Sequence, residues 1–191
     1  MHDNVLAAHD HPAATKNLEQ AELLPRPSTA SAPDVWNQVA ELMATADIDP
    51  RPDIEPEQGN VPVYVQTARL SDAYRVEQVF TEHDIDTIHS LGPGDCRVEL
   101  YLAENGFDVT GYELNSDLVE LIDTTFEIDS FELQETDYHR VFDDLVGPNV
   151  GILVLGGNNK PPAIPDQGVL IEGYSELGVR AYSDGEPIYA W

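Results

Sequence analysis

The segment that most limits how this chain can fold runs from Asp84 to about Phe126, where apolar spacing alternates between the strand period and the helix period. Asp86 to Leu91 reads as a strand that ends in the turn Gly92-Pro93-Gly94. Asp95 can cap a helix reaching Asn105, with Val98, Tyr101 and Leu102 on one face and Gly106 just past its end. Asp108 to Leu114 is a second strand, and Asn115 or Ser116 can cap a helix to about Phe126 with Leu118, Leu121 and Ile122 as its buried stripe. Strands that alternate with helices of this length pair in parallel through crossover helices, so an α/β fold of Rossmann type is expected.

The flanking sequence extends this pattern. Upstream, a helix is expected with Ser71 as N-cap and Ala73, Val76, Val79 and Phe80 on one face, preceded by an extended Val61, Val63, Val65. Downstream, Ser130 to Glu135 reads as a third strand. Val150 to Leu155 is nearly uniformly apolar, as suits a strand covered on both faces. Gly168 to Glu172 follows, and Gly178 to Tyr182 with Pro187 to Trp191 flank Asp184-Gly185 as a terminal β-hairpin. Helices are expected on both faces of the sheet. Residues 1–60 differ: eight of the fourteen prolines lie from Pro12 to Pro62. That stretch reads as an acidic, Pro-rich arm with one amphipathic helix from Asp34 to Ala46, bearing Trp36, Val39, Ala40 and Met43, and residues 61–191 as the folded domain.

A strand that runs into a glycine turn and then a helix brings backbone N–H groups up to a ligand. Gly92 and Gly94 let the chain turn tightly, and Glu113 stands at the end of the second strand, 19 positions beyond Gly94. That is where a carboxylate can accept both hydroxyls of a ribose. A plain βα loop with a surface acid would share this spacing. The dinucleotide fingerprint needs a small residue three places after its second glycine; Arg97 stands there, which argues against NAD or FAD. A Walker-type phosphate loop is also absent.

Thr87-Ile88-His89-Ser90-Leu91-Gly92-Pro93-Gly94-Asp95-Cys96-Arg97, followed by Gly106 to Asn115, resembles the first two motifs of class I S-adenosylmethionine-dependent methyltransferases. That first motif reads acidic-x-Gly-x-Gly-x-Gly, and the second strand of the family ends in an acid. The resemblance implies S-adenosylmethionine as cofactor, with Gly92 and Gly94 beside its methionine part, Glu113 at its ribose and Asp137 near its adenine. The first motif is degenerate. Ser90 takes the place of its acid, able to hydrogen-bond but not to offer a carboxylate, and Cys96 takes that of its third glycine. The loop Gly156-Gly157-Asn158-Asn159-Lys160-Pro161-Pro162 approximates the Asn-Pro-Pro-aromatic motif that faces the transferred methyl group in amine-directed members. Asn158 and Asn159 are therefore the catalytic candidates; a connection without chemical role is the plainer reading of the same loop.

Charge shapes the remaining expectations. The chain carries 36 acidic against 9 basic residues, a formal net charge of −27, and only two lysines. Such self-repulsion opposes a compact state in dilute buffer but is largely screened in molar salt, where the Debye length is about 3 Å. A halophilic source, archaeal or viral, and a soluble protein of a high-salt cytoplasm are expected. In that medium the charge neither implies nor excludes a nucleic-acid partner. Cys96 is the single cysteine, and His2, His9 and His11 lie in the arm with no metal site expected from them. No apolar run approaches the roughly 20 residues of a membrane span, and the N-terminus lacks the pattern of a signal peptide. Two functions fit these residues. One is a methyltransferase acting on an unknown acceptor. The other is a non-catalytic methyltransferase-like module, such as a component of a halophilic virus or other assembly, reaching a protein partner through residues 1–60. In a cofactor site Glu113 should face an open cleft beside Gly92 and Gly94.

Overall fold

The computed structural model describes residues 21–24, 33–46, 68–155, 161–174 and 178–191. In chain order the elements are β1 (Glu22–Leu23), α1 (Asp34–Thr45), α2 (Leu70–Glu82), β2 (Thr87–Leu91), α3 (Arg97–Glu104), β3 (Asp108–Glu113), α4 (Ser116–Thr125) and β4 (Phe131–Glu135). A 3-10 turn (Tyr138–Arg140) and α5 (Phe142–Leu145) follow, then β5 (Val150–Val154), β6 (Val169–Tyr174), β7 (Gly178–Ser183) and β8 (Glu186–Ala190). All the strands join one sheet in the order β1-β8-β7-β6-β5-β2-β3-β4.

The five strands from β4 to β6 are mutually parallel, as the alternating pattern predicts. β2 and β5 are neighbours at the centre, although β3, β4 and the helices between them intervene in sequence. Strand periodicity sorts their side chains onto two faces. Ile88, Val109, Leu153 and Ile171 meet α1 to α4, packing with Val39, Phe80, Leu100 and Leu118 in one core. Leu91, Tyr112, Ile152, Val154 and Leu170 point the other way, against Tyr138, Phe142 and Leu145. Ile152, Leu153 and Val154 are each 1% exposed or less, which accounts for the uniformly apolar sequence of β5. Helices thus cover both faces of a Rossmann-like sheet.

The C-terminal hairpin is present. Asp184 and Gly185 both have positive φ (48° and 81°), and Ser183 pairs with Glu186, as in the two-residue turn whose twist matches that of its strands. β6 also runs antiparallel to β7, so the C-terminus is a three-stranded meander. Two expected helix starts are corrected: α3 begins at Arg97, with Cys96 rather than Asp95 as N-cap, and α2 begins at Leu70, with Arg69 rather than Ser71 as N-cap. The Asp72 carboxylate decides this, accepting the Arg69 backbone N–H (3.4 Å) and its Nε–H (3.0 Å), so the first turn closes earlier than expected.

Two pieces of the N-terminal region join this core. In α1, Val35, Trp36 and Val39 are buried in the same cluster as α3, and the Arg97 guanidinium lies 5.9 Å from the centre of the Trp36 ring. β1 adds in parallel to β8, and the Leu24 N–H continues the pairing to the Ala190 carbonyl (3.2 Å). The extended reading of Val61, Val63 and Val65 falls outside the described residues. No described helix is long and apolar enough to cross a membrane.

Candidate nucleoside-binding site

In an open α/β sheet, ligands gather at the carboxyl ends of strands where the strand order reverses. That point lies between β2 and β5: the chain leaves β2 toward β3 on one side and β5 toward β6 on the other. The glycine turn follows β2 directly. Gly92 (φ 66°), Gly94 (φ 62°) and Cys96 (φ 57°) all take the left-handed conformation within five residues. The Gly92 N–H is anchored to the Tyr112 carbonyl at 2.8 Å, which ties the turn to β3.

Cys96 shows why the resembling motif favours glycine at its place. A side chain at positive φ costs about 1–2 kcal/mol. Full burial of the Cys96 side chain offsets that strain. Burial, with Glu99, Glu113 and Asp95 nearby, pushes its thiol up, so it stays neutral and packs rather than reacts.

Glu113 closes the turn from the side. Its Oε2 accepts the Gly94 N–H at 3.3 Å, and its Oε1 accepts the N–H groups of Leu114 (2.8 Å) and Asn115 (3.0 Å). The carboxylate therefore sits beside Gly94 as its spacing predicts. The residue is 8% exposed, and its acceptor capacity is partly taken up by the backbone N–H groups of Gly94, Leu114 and Asn115. Burial raises its pKa, opposed by those three hydrogen bonds. Asn115, two residues on, caps α4 by accepting the Leu118 N–H at 3.2 Å.

Asp137 stands beyond the carboxyl end of β4, in the same row as Glu113; the Thr136 N–H bonds the Glu113 carbonyl at 2.9 Å. Asp137 is buried and caps the 3-10 turn, accepting the His139 N–H at 3.0 Å, and the Tyr138 and His139 ring centres lie 4.3 Å apart behind it. Gly92, Gly94, Glu113 and Asp137 thus converge on one edge of the sheet. Asn158 and Asn159 lie outside the described residues.

Ser90 brings in a residue that motif reading passes over. Its hydroxyl, 1% exposed, donates to Glu99 Oε1 at 2.6 Å. Glu99 is the third residue of α3, itself only 3% exposed, so a carboxylate from the helix occupies the place beside Ser90 where the motif would carry its own acid. Burial holds the Glu99 carboxyl up at about 7, with Asp95 and Glu113 adding to the effect. The available signal was an acid in the first turn of a helix that follows a glycine turn, a position usually explained by the helix dipole and left there.

No family model matches the chain, and no curated protein matches it. Similar solved structures include a protein of Staphylococcus aureus described as a caffeoyl-CoA O-methyltransferase, with 14% identity, TM-score 0.46, and coverage of 56% of this chain and 59% of that one. A Plasmodium falciparum protein described as a protein-L-isoaspartate O-methyltransferase, in complex with S-adenosyl-L-homocysteine, is 14% identical at TM-score 0.42, covering 83% and 88%. A Bacteroides fragilis S-adenosylmethionine-dependent methyltransferase, also with S-adenosyl-L-homocysteine, is 16% identical at TM-score 0.38, covering 88% and 82%. The chain spans about three fifths of the first of these. Strand order and turn geometry, rather than these percentages, make the chain a Rossmann-like α/β protein.

Proposed function

We propose that the chain binds S-adenosylmethionine at the carboxyl edge of β2 and β3 and transfers its methyl group to an acceptor not yet known. The observation that carries this reading is the bond between Gly94 N–H and Glu113 Oε2, which joins a left-handed glycine turn to an acid at the next strand end. The residues suit the ligand: backbone donors and glycines for its amino-acid end, a carboxylate for its ribose, and a second acid, Asp137, for the base. S-adenosylmethionine supplies a methyl group already activated on a sulfonium, so in-line placement is most of what the protein must add. Gly92 and Gly94 hold the backbone where a ligand can lie against it. Glu113 exchanges part of its backbone bonding for the ribose hydroxyls. Asn158 and Asn159, which follow β5 in sequence, are the residues we assign to holding the acceptor.

The division at about residue 60 is one of role in this reading: 61–191 carries the binding site, and the residues before it, whose α1 and β1 pack onto the same core and sheet, offer their outer surface to a protein partner. The test is calorimetric titration of S-adenosylmethionine and S-adenosylhomocysteine in molar KCl. Saturable binding is expected, and Glu113→Ala should weaken it by about tenfold or more, since two hydrogen bonds to a charged group are lost. A folded protein that binds neither compound would leave only the non-catalytic module.

The halophilic reading has its own test. Lowering KCl from molar to about 0.1 M lengthens the Debye length from about 3 to about 10 Å and restores repulsion among 36 acids. The thermal midpoint is expected to drop by more than about 10 °C over that range. A midpoint independent of salt would remove the high-salt assignment.

A further inference from the structure

β6 and β7 carry two charged side chains into the interior near the binding edge of the sheet. Leu170 stands opposite Tyr182 and Glu172 opposite Arg180, so all four share one face. Leu170 and Tyr182 belong to the core beneath α5; Glu172 lies one step nearer the carboxyl edge, beside Val154 at the end of β5. Glu172 is 0% exposed and Arg180 8%. The Tyr182 hydroxyl donates to Glu172 Oε1 at 3.2 Å, and Arg180 is close enough to act on the same phenol. The guanidinium itself is left unsatisfied. Its Nε and Nη1 are buried without a hydrogen-bond partner, and no ion pair reaches it among the described residues. Buried donors are normally paired, and a guanidinium cannot shed its charge to escape the cost. These N–H groups call for an acceptor that carries negative charge.

The position fits a second ligand beside the first. β5 and β6 run parallel to β2, so Arg180 stands toward the same edge as the glycine turn, on the third strand across from it. At the usual strand spacing that is about 14 Å, enough for two small molecules to meet between them. Resting on the reading of the glycine turn as the cofactor site, we propose that Arg180 binds the methyl acceptor through a carboxylate of that acceptor. Glu172 and Tyr182 bond each other, which leaves the guanidinium donors to the ligand. With a buried acid already beside it, one guanidinium offsets a single added negative charge better than a double one. That favours a carboxylate over a phosphate.

The measurement is NMR titration of the full chain in molar KCl with acetate and, separately, inorganic phosphate as probes. It follows the arginine Nε–H signals and the backbone N–H of Ala181. Acetate is expected to shift the Arg180 and Ala181 signals and to saturate at about 1–10 mM, leaving the other six arginines in place. Phosphate should give no saturable shift. Arg180→Lys, which keeps the charge but not the planar set of donors, should weaken the Ala181 response about tenfold or more. The wild-type titration decides even where that variant does not fold. An Arg180 signal unmoved at about 0.1 M acetate, a shift shared by every arginine, or saturation by phosphate in place of acetate overturns the proposal. S-adenosylmethionine added to the same sample separates the two readings. If it binds and acetate does not, the cofactor reading stands and this inference falls. If acetate binds and it does not, the cofactor reading falls and the acceptor role of Arg180 is overturned with it.

Discussion

Replacing Glu99 by glutamine is expected to stabilise the ligand-free protein at pH 8, by about 2–3 kcal/mol. The folded-state carboxyl titrates at about 7 against an ordinary value of 4.5, so the fold prefers it protonated. Its contribution is fully present below pH 4.5, declines as pH rises toward 7, and is gone above that. A glutamine amide never ionises and keeps an oxygen for the Ser90 hydroxyl to donate to, so the variant escapes this decline. Glu113 and Asp123 are raised by burial in the same direction, so wild type loses stability with rising pH more steeply than Glu99 alone requires. The difference between the two proteins isolates Glu99. Thermal unfolding from pH 5 to 8.5 in molar KCl should show midpoints converging at the acid end and separating by about 5–10 °C at the other. A Glu99→Gln protein less stable than wild type at pH 8 would mean the carboxylate serves as a structural acceptor.

Gly168→Ala is expected to cost about 3 kcal/mol or more, lowering the thermal midpoint by about 6–12 °C. Gly168 precedes β6 with φ +77°, a conformation that strains any side chain. A Cβ there would stand 2.4 Å from the Val150 carbonyl oxygen and 2.6 Å from that of Gly147. Both are backbone atoms at or just before the start of β5, so neither can swing aside as a flexible side chain would. The same residue joins the sheet to the hairpin: its N–H donates to Asp184 Oδ1 at 3.1 Å, and its carbonyl accepts the Asp184 N–H at 2.9 Å. Displacing it disturbs the β5–β6 junction and the turn together. Denaturant unfolding of the variant beside wild type in the same salt checks this, and a loss under about 1 kcal/mol would mean the junction can relax.

Much of this fold is legible residue by residue. The apolar run of β5 reads as a strand covered twice because both faces are covered. Asp184-Gly185 reads as a tight hairpin because only residues tolerant of positive φ fit there. Glu113 reads as standing near the glycine turn because a crossover of fixed length brings successive parallel strand ends side by side; that it accepts the Gly94 N–H is visible only in the structure. These are local consequences of periodicity and backbone freedom.

Other features depend on distances that spacing does not encode. Helical periodicity shows that the Trp36 face is apolar, but not that it covers α3 beside Arg97, since what an amphipathic helix packs against is set by the assembled core. Glu113 has the expected place but not the expected surroundings: burial and three backbone donors turn it onto its own turn. Ser90 reads as a missing carboxylate because a motif is scored along the chain. Nine residues later, the first turn of α3 folds Glu99 back to within 2.6 Å of it. The sequence by itself determined the parallel α/β order and the glycine turn at its switch point, because backbone geometry and apolar spacing are local. Only the tertiary structure decided which acids are buried at that turn and how they are charged, because desolvation and charge proximity act through space.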